Sequence, residues 1–314
     1  MPTSNSGRPK ELVLGTAQLG LRYGVANRTG MPAFQEAVSI IREAVTAGIR
    51  RIDTARTYGE AEERIGEALS DFSGEEVCIV TKLDPLESLP PQASEKTVHA
   101  AVDESVRLSL RMLRLPQLPV LLLHRWEHRF AYGEAVWRRL LELRKQGSIG
   151  KLGASVYSPE EAAQALGDGD VHYVQLPFNV LDRRWKGGAG VDRLAVKKKE
   201  VGVDARSIFL QGLLTMDPET QPRLGSGLEE FMKKIQRLVS DLKRESREDL
   251  CLAYVKAQGW IQGIVLGMES QVQLRKNLNL FERPALSPEE CSRVESELTG
   301  AREDLLDPSQ WVLS

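Results

Sequence analysis

The sequence predicts an α/β fold in which eight parallel strands and their helices close into a (β/α)8 TIM barrel, followed by one extra C-terminal helix and a tail. Short β-branched runs alternate with helical patterns along the whole chain, which is typical of parallel strands with helical crossovers. Eight such units can be counted, the number that closes a barrel. A doubly wound open sheet is the main alternative, but no G-x-G-x-x-G follows the first strand.

The elements can be assigned in chain order. The predicted strands are 12–14, 51–53, 77–81, 120–123, 151–154, 173–175, 203–207 and 261–266. The predicted helices are 35–47, 61–70, 95–113, 132–146, 159–166, 191–200, 247–257 and 272–280. Residues 178–190 and 213–227 are long, contain Gly or Pro and follow strand ends, so we expect them to form active-site loops.

Several boundaries have a local chemical reason. Ser158 and Ser287 each precede Pro and are followed three residues later by Glu, a pattern that predicts a helix start with a capping box. Gly48, Gly147 and Gly202 come just after helical segments, where we expect left-handed C-caps.

Length and composition limit the classes of protein. We expect one domain over residues 1–314, with residues 1–10 flexible and residues 285–314 forming the extra helix and tail. A net charge of −2 and a pI near 6.2 give no general attraction to nucleic acid or anionic lipid. Three cysteines without a CxxC pair predict no metal site, and no stretch approaches the about 20 apolar residues of a membrane span. A cytoplasmic protein, monomeric by default, is expected.

Four polar residues lie at or just after the ends of three predicted strands. Asp53 ends the second strand and Tyr58 lies in the turn after it. Lys82 follows the third strand and His124 the fourth. Because the carboxyl ends of barrel strands meet at one rim, we expect these four side chains to lie together.

Their chemistry suits proton donation to a carbonyl. A carboxylate keeps Lys82 charged despite burial, and that cation favours the ionised form of a nearby tyrosine. Tyr58, with an ordinary pKa of about 10, would thereby become a usable acid near neutral pH, while His124 holds the substrate oxygen. The alternative is a structural Asp53–Lys82 ion pair beside ordinary rim residues.

The same residues resemble a known family. Residues 52–59, I-D-T-A-R-T-Y-G, followed by Glu62, Ile65 and Gly66, resemble the signature of the aldo-keto reductase superfamily. Thr81-Lys82 and Leu123-His124 resemble its next two catalytic blocks, and the match extends from Gly15 to Asn277. This resemblance implies a barrel that reduces aldehydes or ketones with a nicotinamide cofactor. It implies Tyr58 as general acid, Asp53 and Lys82 as the residues that tune it, and His124 as the residue that orients the carbonyl.

Cofactor-binding residues are implied by the resemblance. Thr16 resembles the residue near the nicotinamide ribose, and Ser155 with Gln175 resemble the pair that binds the carboxamide; Val156 replaces an Asn there, so one contact is expected to be missing. The implied set is Gly15, Thr16, Asp53, Ser155, Gln175, Arg206, Ser207, Phe209, Gln211, Gly212, Gly267, Met268, Gln273 and Asn277.

Two positions depart from the family pattern. Arg206 replaces the aromatic residue that stacks on the nicotinamide; a planar guanidinium can also stack, or it can point away and pair with an acidic neighbour. At the 2′-phosphate position the chain has Ser270 and Gln273, with Arg275 and Lys276 close by. NADPH is predicted from its frequency in the family, with NADH as the alternative.

Arginines and aromatic residues cluster in the predicted loops. The arginines are Arg22, Arg56, Arg125, Arg183 and Arg184, with Tyr23, Trp126 and Trp185 beside them. Since arginine offers bidentate contacts to anions, we expect an anionic or sugar-like carbonyl substrate bound by Tyr23, Arg56, Arg125, Trp126 and Trp185. The alternative is a solvated rim paired with Glu60, Glu127 and Asp182.

Two other functions stay open. A nicotinamide-binding, redox-sensing regulatory subunit would bind cofactor with little turnover. An unrelated barrel, such as a phosphate-binding isomerase or lyase, would bind no nicotinamide.

Overall fold

The computed structural model describes residues 10–72, 77–186, 190–222, 224 and 227–311. The predicted flexibility of residues 1–10 therefore concerns, apart from Lys10, residues outside these ranges. Eight parallel strands pair in chain order and the last pairs with the first, so the predicted (β/α)8 barrel is confirmed. The strands are β1 (Glu11–Gly15), β2 (Arg51–Asp53), β3 (Cys78–Lys82), β4 (Leu118–Leu123), β5 (Ile149–Ser155), β6 (Tyr173–Pro177), β7 (Gly202–Arg206) and β8 (Gly263–Gly267).

Helices surround the barrel. They are α1 (Ala17–Gly20), α2 (Phe34–Thr46), α3 (Ala61–Ala68), α4 (Glu95–Leu113), α5 (Ala135–Lys145), α6 (Pro159–Gly167), α7 (Val191–Lys197), α8 (Leu228–Asp241), α9 (Arg247–Lys256), α10 (Gln271–Glu282), α11 (Pro288–Glu297) and α12 (Glu303–Leu306). Eight of them match the predicted helices. No helix in the described ranges is both long enough and apolar enough to cross a membrane.

The predicted helix starts and stops are largely found. Ser287 begins α11 with a complete capping box, whereas Ser158 begins α6 with only half of one, because the Glu161 carboxylate accepts from Tyr157 instead. Gly48 and Gly147 have the predicted left-handed backbone, with φ of 97° and 87°. The prediction for Gly202 is wrong, because this residue is already the first of β7 and does not have a positive φ.

Two of the longer helices differ from the sequence assignment. Helix α5 begins at Ala135 rather than at residue 132, because Tyr132, Gly133 and Glu134 have φ of 52°, 61° and 66° and cannot continue a right-handed helix. Helix α8 was not predicted at all. Its buried residues recur at helical spacing, but one helix between β7 and β8 already satisfied the barrel pattern; they are Leu228, Phe231, Met232, Ile235, Leu238 and Val239.

Polar contacts close the amino-terminal end of the barrel. Arg51, at the start of β2, places Nη1 2.7 Å from Asp204 Oδ1 and 2.8 Å from the Tyr173 hydroxyl, and the Tyr173 hydroxyl also donates to Asp204. Above them Val80, Val120 and other side chains fill the interior. The opposite end, where the strands terminate, is left for binding and chemistry.

Candidate active site

Three neighbouring strands place the predicted tetrad. Asp53 is the last residue of β2 and Lys82 the last of β3, while His124 directly follows β4. Tyr58 lies in the turn that joins β2 to α3, and its backbone N–H donates to the Ala55 carbonyl. All four side chains therefore lie at the carboxyl end of the barrel, as predicted.

Asp53 and Lys82 form a buried ion pair with further hydrogen bonds. Lys82 Nζ lies 2.7 Å from Asp53 Oδ1 and 2.9 Å from the Thr54 carbonyl oxygen. Gln175 Nε2 also donates to Asp53 Oδ1, at 2.7 Å. The two charged side chains are 1% and 6% exposed, so their low-dielectric surroundings make the pairing necessary for both charges.

Tyr58 and His124 face each other beside this pair. Their ring centroids are 6.2 Å apart with the planes nearly perpendicular, and Lys82 Nζ lies 5.0 Å from the Tyr58 centroid. Burial lowers the pKa of His124 to about 3, and the positive charges of Lys82 and Arg206 act in the same direction. His124 is therefore neutral near pH 7, with Nδ1 3.5 Å from the Thr57 hydroxyl.

The expectation that the surroundings of Tyr58 favour its ionised form, and so lower its pKa, is wrong. Burial raises the pKa of Tyr58, and the Asp53 carboxylate raises it further, while only Arg206 acts in the lowering direction among the main causes. The Lys82 charge is matched by Asp53 at 2.7 Å, so its effect on the Tyr58 pKa is smaller than that of burial. Tyr58 is therefore a fully protonated phenol near neutral pH.

A cleft of about 300 Å³ runs from the tetrad to the start of α10. Eleven of the predicted cofactor residues line it: Gly15, Thr16, Asp53, Arg206, Ser207, Phe209, Gln211, Gly212, Gly267, Gln273 and Asn277. Tyr23 and Tyr58 line the same cleft. The cleft is thus elongated, with aromatic and charged groups at one end and a helix start at the other.

Three predicted cofactor residues are buried and are not among the residues that line the cleft. Ser155, Gln175 and Met268 are at most 1% exposed. Ser155 and Gln175 are neighbours across β5 and β6, as predicted. Gln175 Oε1 has no hydrogen-bond partner among the described residues, so a buried acceptor next to Asp53 is left for a donor from outside the chain.

The loop after β7 has an unusual backbone. Ser207, Leu210 and Gln211 all have positive φ, between 49° and 59°, and Gly212 has φ of 88°. Left-handed non-glycine residues are costly and cluster at functional sites. Residues of this loop line the same cleft as Tyr23.

Arg206 takes neither predicted arrangement in full. Its guanidinium carbon lies 4.5 Å from the ring centroid of Tyr157, and it lines the cleft. Among the described residues no carboxylate pairs with it; its polar contacts are Ser207 Oγ at 3.4 Å and the Val156 carbonyl at 3.5 Å. The predicted pairing with an acidic neighbour is therefore wrong.

The far end of the cleft is acidic, which the sequence analysis missed. Glu248 and Glu269 line it together with Lys276. Lys276 is paired with Glu248 at 2.6 Å, and Arg275 is drawn away to Glu43 at 2.6 Å. Glu269 directly follows the predicted residues Gly267 and Met268 and could have been noticed; nothing in the sequence points to Glu248, which comes from α9.

Most of the predicted substrate residues do not reach the cleft. Trp126 and Trp185 are 3% and 0% exposed and donate to Gln164 and Asp182, so they belong to the core. Arg56 pairs with buried Glu62. Their assignment to a substrate rim is wrong; only Tyr23 lines the cleft, and exposed Arg125 stays 3.7 Å from Glu127.

Two of the remaining rim arginines, Arg183 and Arg184, also have partners. Arg184 pairs with Asp182 at 2.7 Å, and Arg183 donates to the Tyr254 hydroxyl at 2.6 Å. Glu60, the third expected acidic partner, pairs instead with Arg64 at 2.8 Å. The paired-rim alternative thus describes this surface better than an anion-binding rim does.

Comparisons with known proteins agree with this geometry. The sequence model described as "Aldo/keto reductase family" matches residues 11–298. The uncharacterized oxidoreductase YqkF of Bacillus subtilis is 25% identical over 302 residues, covering 90% of this chain and 94% of that protein. The NADH-specific methylglyoxal reductase of Escherichia coli is 26% identical over 197 residues, covering 55% of this chain and 60% of that protein.

Solved structures show the same fold. The holo form of aldo-keto reductase AKR11C1 from Bacillus halodurans superposes with a TM-score of 0.73 at 22% identity, covering 91% of each chain. The glycerol dehydrogenase AKR11B4 from Gluconobacter oxydans gives a TM-score of 0.70 at 22% identity, with 95% of this chain and 96% of that one covered. At this identity the likeness concerns the barrel itself.

Proposed function

This chain belongs to the aldo/keto reductase family of nicotinamide-dependent oxidoreductases, and we propose that it reduces an aldehyde or ketone to an alcohol with Tyr58 as the proton donor. The observation that carries the proposal is the grouping of a protonated phenol, a neutral imidazole and a buried Asp–Lys pair beside a cleft that Tyr58 and Asp53 line. Carbonyl reduction needs such a donor where charge develops on the substrate oxygen.

Each residue has a distinct part in this proposal. Tyr58 gives its hydroxyl proton to the carbonyl oxygen, and its raised pKa ensures that the proton is present. His124 is neutral, so it can orient the same oxygen by a hydrogen bond without adding charge. Lys82, 5.0 Å from the Tyr58 ring centroid, stabilises the phenolate that is left after proton transfer.

The residues present fit a nicotinamide dinucleotide. A bound nicotinamide supplies the hydride for the reaction. The cleft is elongated, and the unpartnered Gln175 Oε1 offers an acceptor for a carboxamide near Asp53. The other end of the cleft is lined by Gly267, which has no side chain, and by Asn277 of α10. We propose that Gln175 holds the carboxamide and that the α10 end holds the adenosine moiety.

We propose NADH as the preferred cofactor, although family frequency led us to expect NADPH. Glu269 and Glu248 line the adenosine end of the cleft, and Lys276, the one cation among the described residues that line it there, is already paired with Glu248. A 2′-phosphate would meet an uncompensated Glu269 carboxylate there, whereas a ribose 2′-hydroxyl can donate to it.

Comparing the binding of the two cofactors tests this preference. We expect the Kd for NADH to be at least about tenfold below that for NADPH, because a phosphate near an unpaired carboxylate is repelled. Glu269→Gln should narrow the difference, whereas Glu289→Gln, on the exposed start of α11, should leave it unchanged. Equal affinities in the wild type would contradict the preference.

The reaction is tested by removing one hydroxyl. Tyr58→Phe keeps the ring, so cofactor affinity measured by fluorescence should stay within about twofold while carbonyl turnover falls about 10²- to 10⁴-fold. Tyr132→Phe is the matched control, because that hydroxyl donates to the Leu89 carbonyl and is not among the described groups that line the cleft. Full turnover in Tyr58→Phe would rule out the proposed acid.

Two of the five predicted substrate residues, Tyr23 and Arg125, support a substrate class. We keep an anionic or sugar-like carbonyl as the candidate, resting on Tyr23 in the cleft and on Arg125, which is 54% exposed near His124. A panel should contain anionic and neutral aldehydes, including methylglyoxal, the substrate in the name of one relative. If Arg125→Ala lowers kcat/KM equally for both classes, the anionic preference is excluded.

Nothing in the described part of the chain favours the redox-sensing alternative, which predicts slow turnover with every carbonyl.

A further inference from the structure

Arg206 brings a fixed positive charge into the reactive end of the cleft. It is the last residue of β7 and lines the cleft together with Tyr58 and Asp53. Its guanidinium stacks on Tyr157, 4.5 Å from the ring centroid. An aromatic face attracts a cation but does not neutralise its charge.

The charge of Arg206 is not compensated in the way the neighbouring charges are. Lys82 has Asp53 at 2.7 Å, and Arg184 has Asp182 at 2.7 Å. Within the described ranges Arg206 has only a hydroxyl at 3.4 Å and a carbonyl at 3.5 Å, both at the limit of hydrogen bonding. The tetrad end of the cleft therefore carries a net positive charge.

The two forms of a nicotinamide cofactor differ in one charge at the ring. The reduced ring is neutral, and loss of the hydride leaves the ring with one positive charge. Because the ring must approach the carbonyl that Tyr58 protonates, it must bind at the end of the cleft that Arg206 lines. A fixed cation at this end repels the oxidised form and leaves the reduced form unaffected.

We propose that Arg206 makes the site discriminate against the oxidised cofactor, which favours carbonyl reduction over alcohol oxidation. The proposal rests on the proposed function, since it requires the nicotinamide to bind beside Tyr58. It also gives a reason why no carboxylate among the described residues pairs with Arg206: a paired Arg206 would stack equally well but would not distinguish the two forms. Release of the oxidised cofactor after each turnover would also be favoured.

The expected effect is moderate. Two unit charges about 8 Å apart in a partly solvated cleft change a binding constant about five- to tenfold. We therefore expect the ratio of Kd for NAD⁺ to Kd for NADH to fall about five- to tenfold when the charge of Arg206 is removed.

The test measures binding and needs no turnover. Both dissociation constants are determined by calorimetry for the wild type, Arg206→Gln and Arg206→Lys, with thermal unfolding as a check of the fold. Arg206→Gln should lower the ratio, mainly through tighter binding of NAD⁺, and Arg206→Lys should keep the ratio within about twofold of the wild type. If Arg206→Gln does not fold, Arg206→Met serves as a second neutral variant.

Arg275→Gln is the matched control. It removes the same charge from α10, where Arg275 is paired with Glu43 outside the cleft lining. Its effect on the two affinities should be equal, so the ratio stays unchanged. A ratio that is the same in Arg206→Gln and in the wild type overturns the proposal. If the wild type binds neither form, the proposed function itself fails, so the two failures are distinguishable.

Discussion

Tyr58 and His124 owe their protonation states to burial. Burial raises the pKa of Tyr58, and Asp53 raises it further, so the phenol keeps its proton. Burial also lowers the pKa of His124 to about 3, with Lys82 and Arg206 adding to the effect. Donor and orienting residue are therefore both in their active state over a wide range of pH.

A pH profile of carbonyl reduction checks these states. We expect kcat/KM to be flat from about pH 5 to about pH 9, because His124 becomes charged only near its pKa of about 3 and Tyr58 loses its proton only above its ordinary pKa of about 10. A basic limb centred near neutral pH, absent in Tyr58→Phe, would contradict the raised pKa of the phenol.

The identity of the tetrad could be predicted, whereas its electrostatics could not. Each residue ends a strand or follows one, and strand ends share a rim, so neighbouring strands bring the four residues together. Burial sets the direction of the Tyr58 pKa, and Arg206 and Tyr157, which lie far along the chain, modify it. That information is absent from the local pattern around Tyr58.

At the scale of elements, glycines let the Tyr58 turn pack directly on α1. A Cβ at Gly20 would lie 1.8 Å from the Tyr58 carbonyl oxygen and 2.7 Å from Ala61 Cβ. A Cβ at Gly59, which has φ of 55°, would likewise lie 2.2 Å from the Gly20 carbonyl oxygen. The position of the proposed acid thus depends on the absence of two side chains.

Gly20→Ala should therefore damage catalysis. The added methyl group must push the turn away from α1, and a displacement of about 1 Å in a catalytic group can cost about 10²-fold in rate. We expect kcat/KM to fall at least about tenfold. Gly169→Ala is the control, because a Cβ there meets nothing within 4 Å. Unchanged kcat/KM in a folded Gly20→Ala variant would show that the turn does not set the position of Tyr58.

At the scale of the whole molecule, Asp249 connects three helices of the outer layer, α8, α9 and α10. This buried residue of α9 accepts hydrogen bonds from Arg244, just after α8, and from Arg283, just after α10, the latter at 2.9 Å. It also accepts from the Glu245 backbone N–H at 2.9 Å. Burial by itself would raise the pKa of Asp249, but these bonds outweigh it and the pKa is lowered.

Asp249→Asn should lower the free energy of unfolding by about 3 kcal/mol, the size typical of breaking a buried ion pair. A carboxyl with a lowered pKa stabilises the fold above its unfolded value of about 4, and this stabilisation is lost as the pH falls through the lower folded value. Urea unfolding should therefore show a large difference from wild type at pH 7 and a smaller one at about pH 3. Asp241→Asn, in an exposed pair with Arg293, should cost less than about 1 kcal/mol. Equal losses in the two variants would contradict this assignment.

The sequence by itself determined the barrel and the four residues at its mouth, because strand periodicity and strand ends are local properties that parallel pairing converts into one rim. Helix α8 was periodic as well, but the barrel pattern left no place for it. Only the tertiary structure decided which charges are compensated. Arg56 and Arg184 are neutralised by partners, whereas Arg206 and Glu269 face the cleft without an opposite charge beside them in the described residues. Lys276, the cation near Glu269, is paired instead with Glu248 of another helix, 28 positions away in sequence. The choice of cofactor therefore depends on contacts that no local pattern contains.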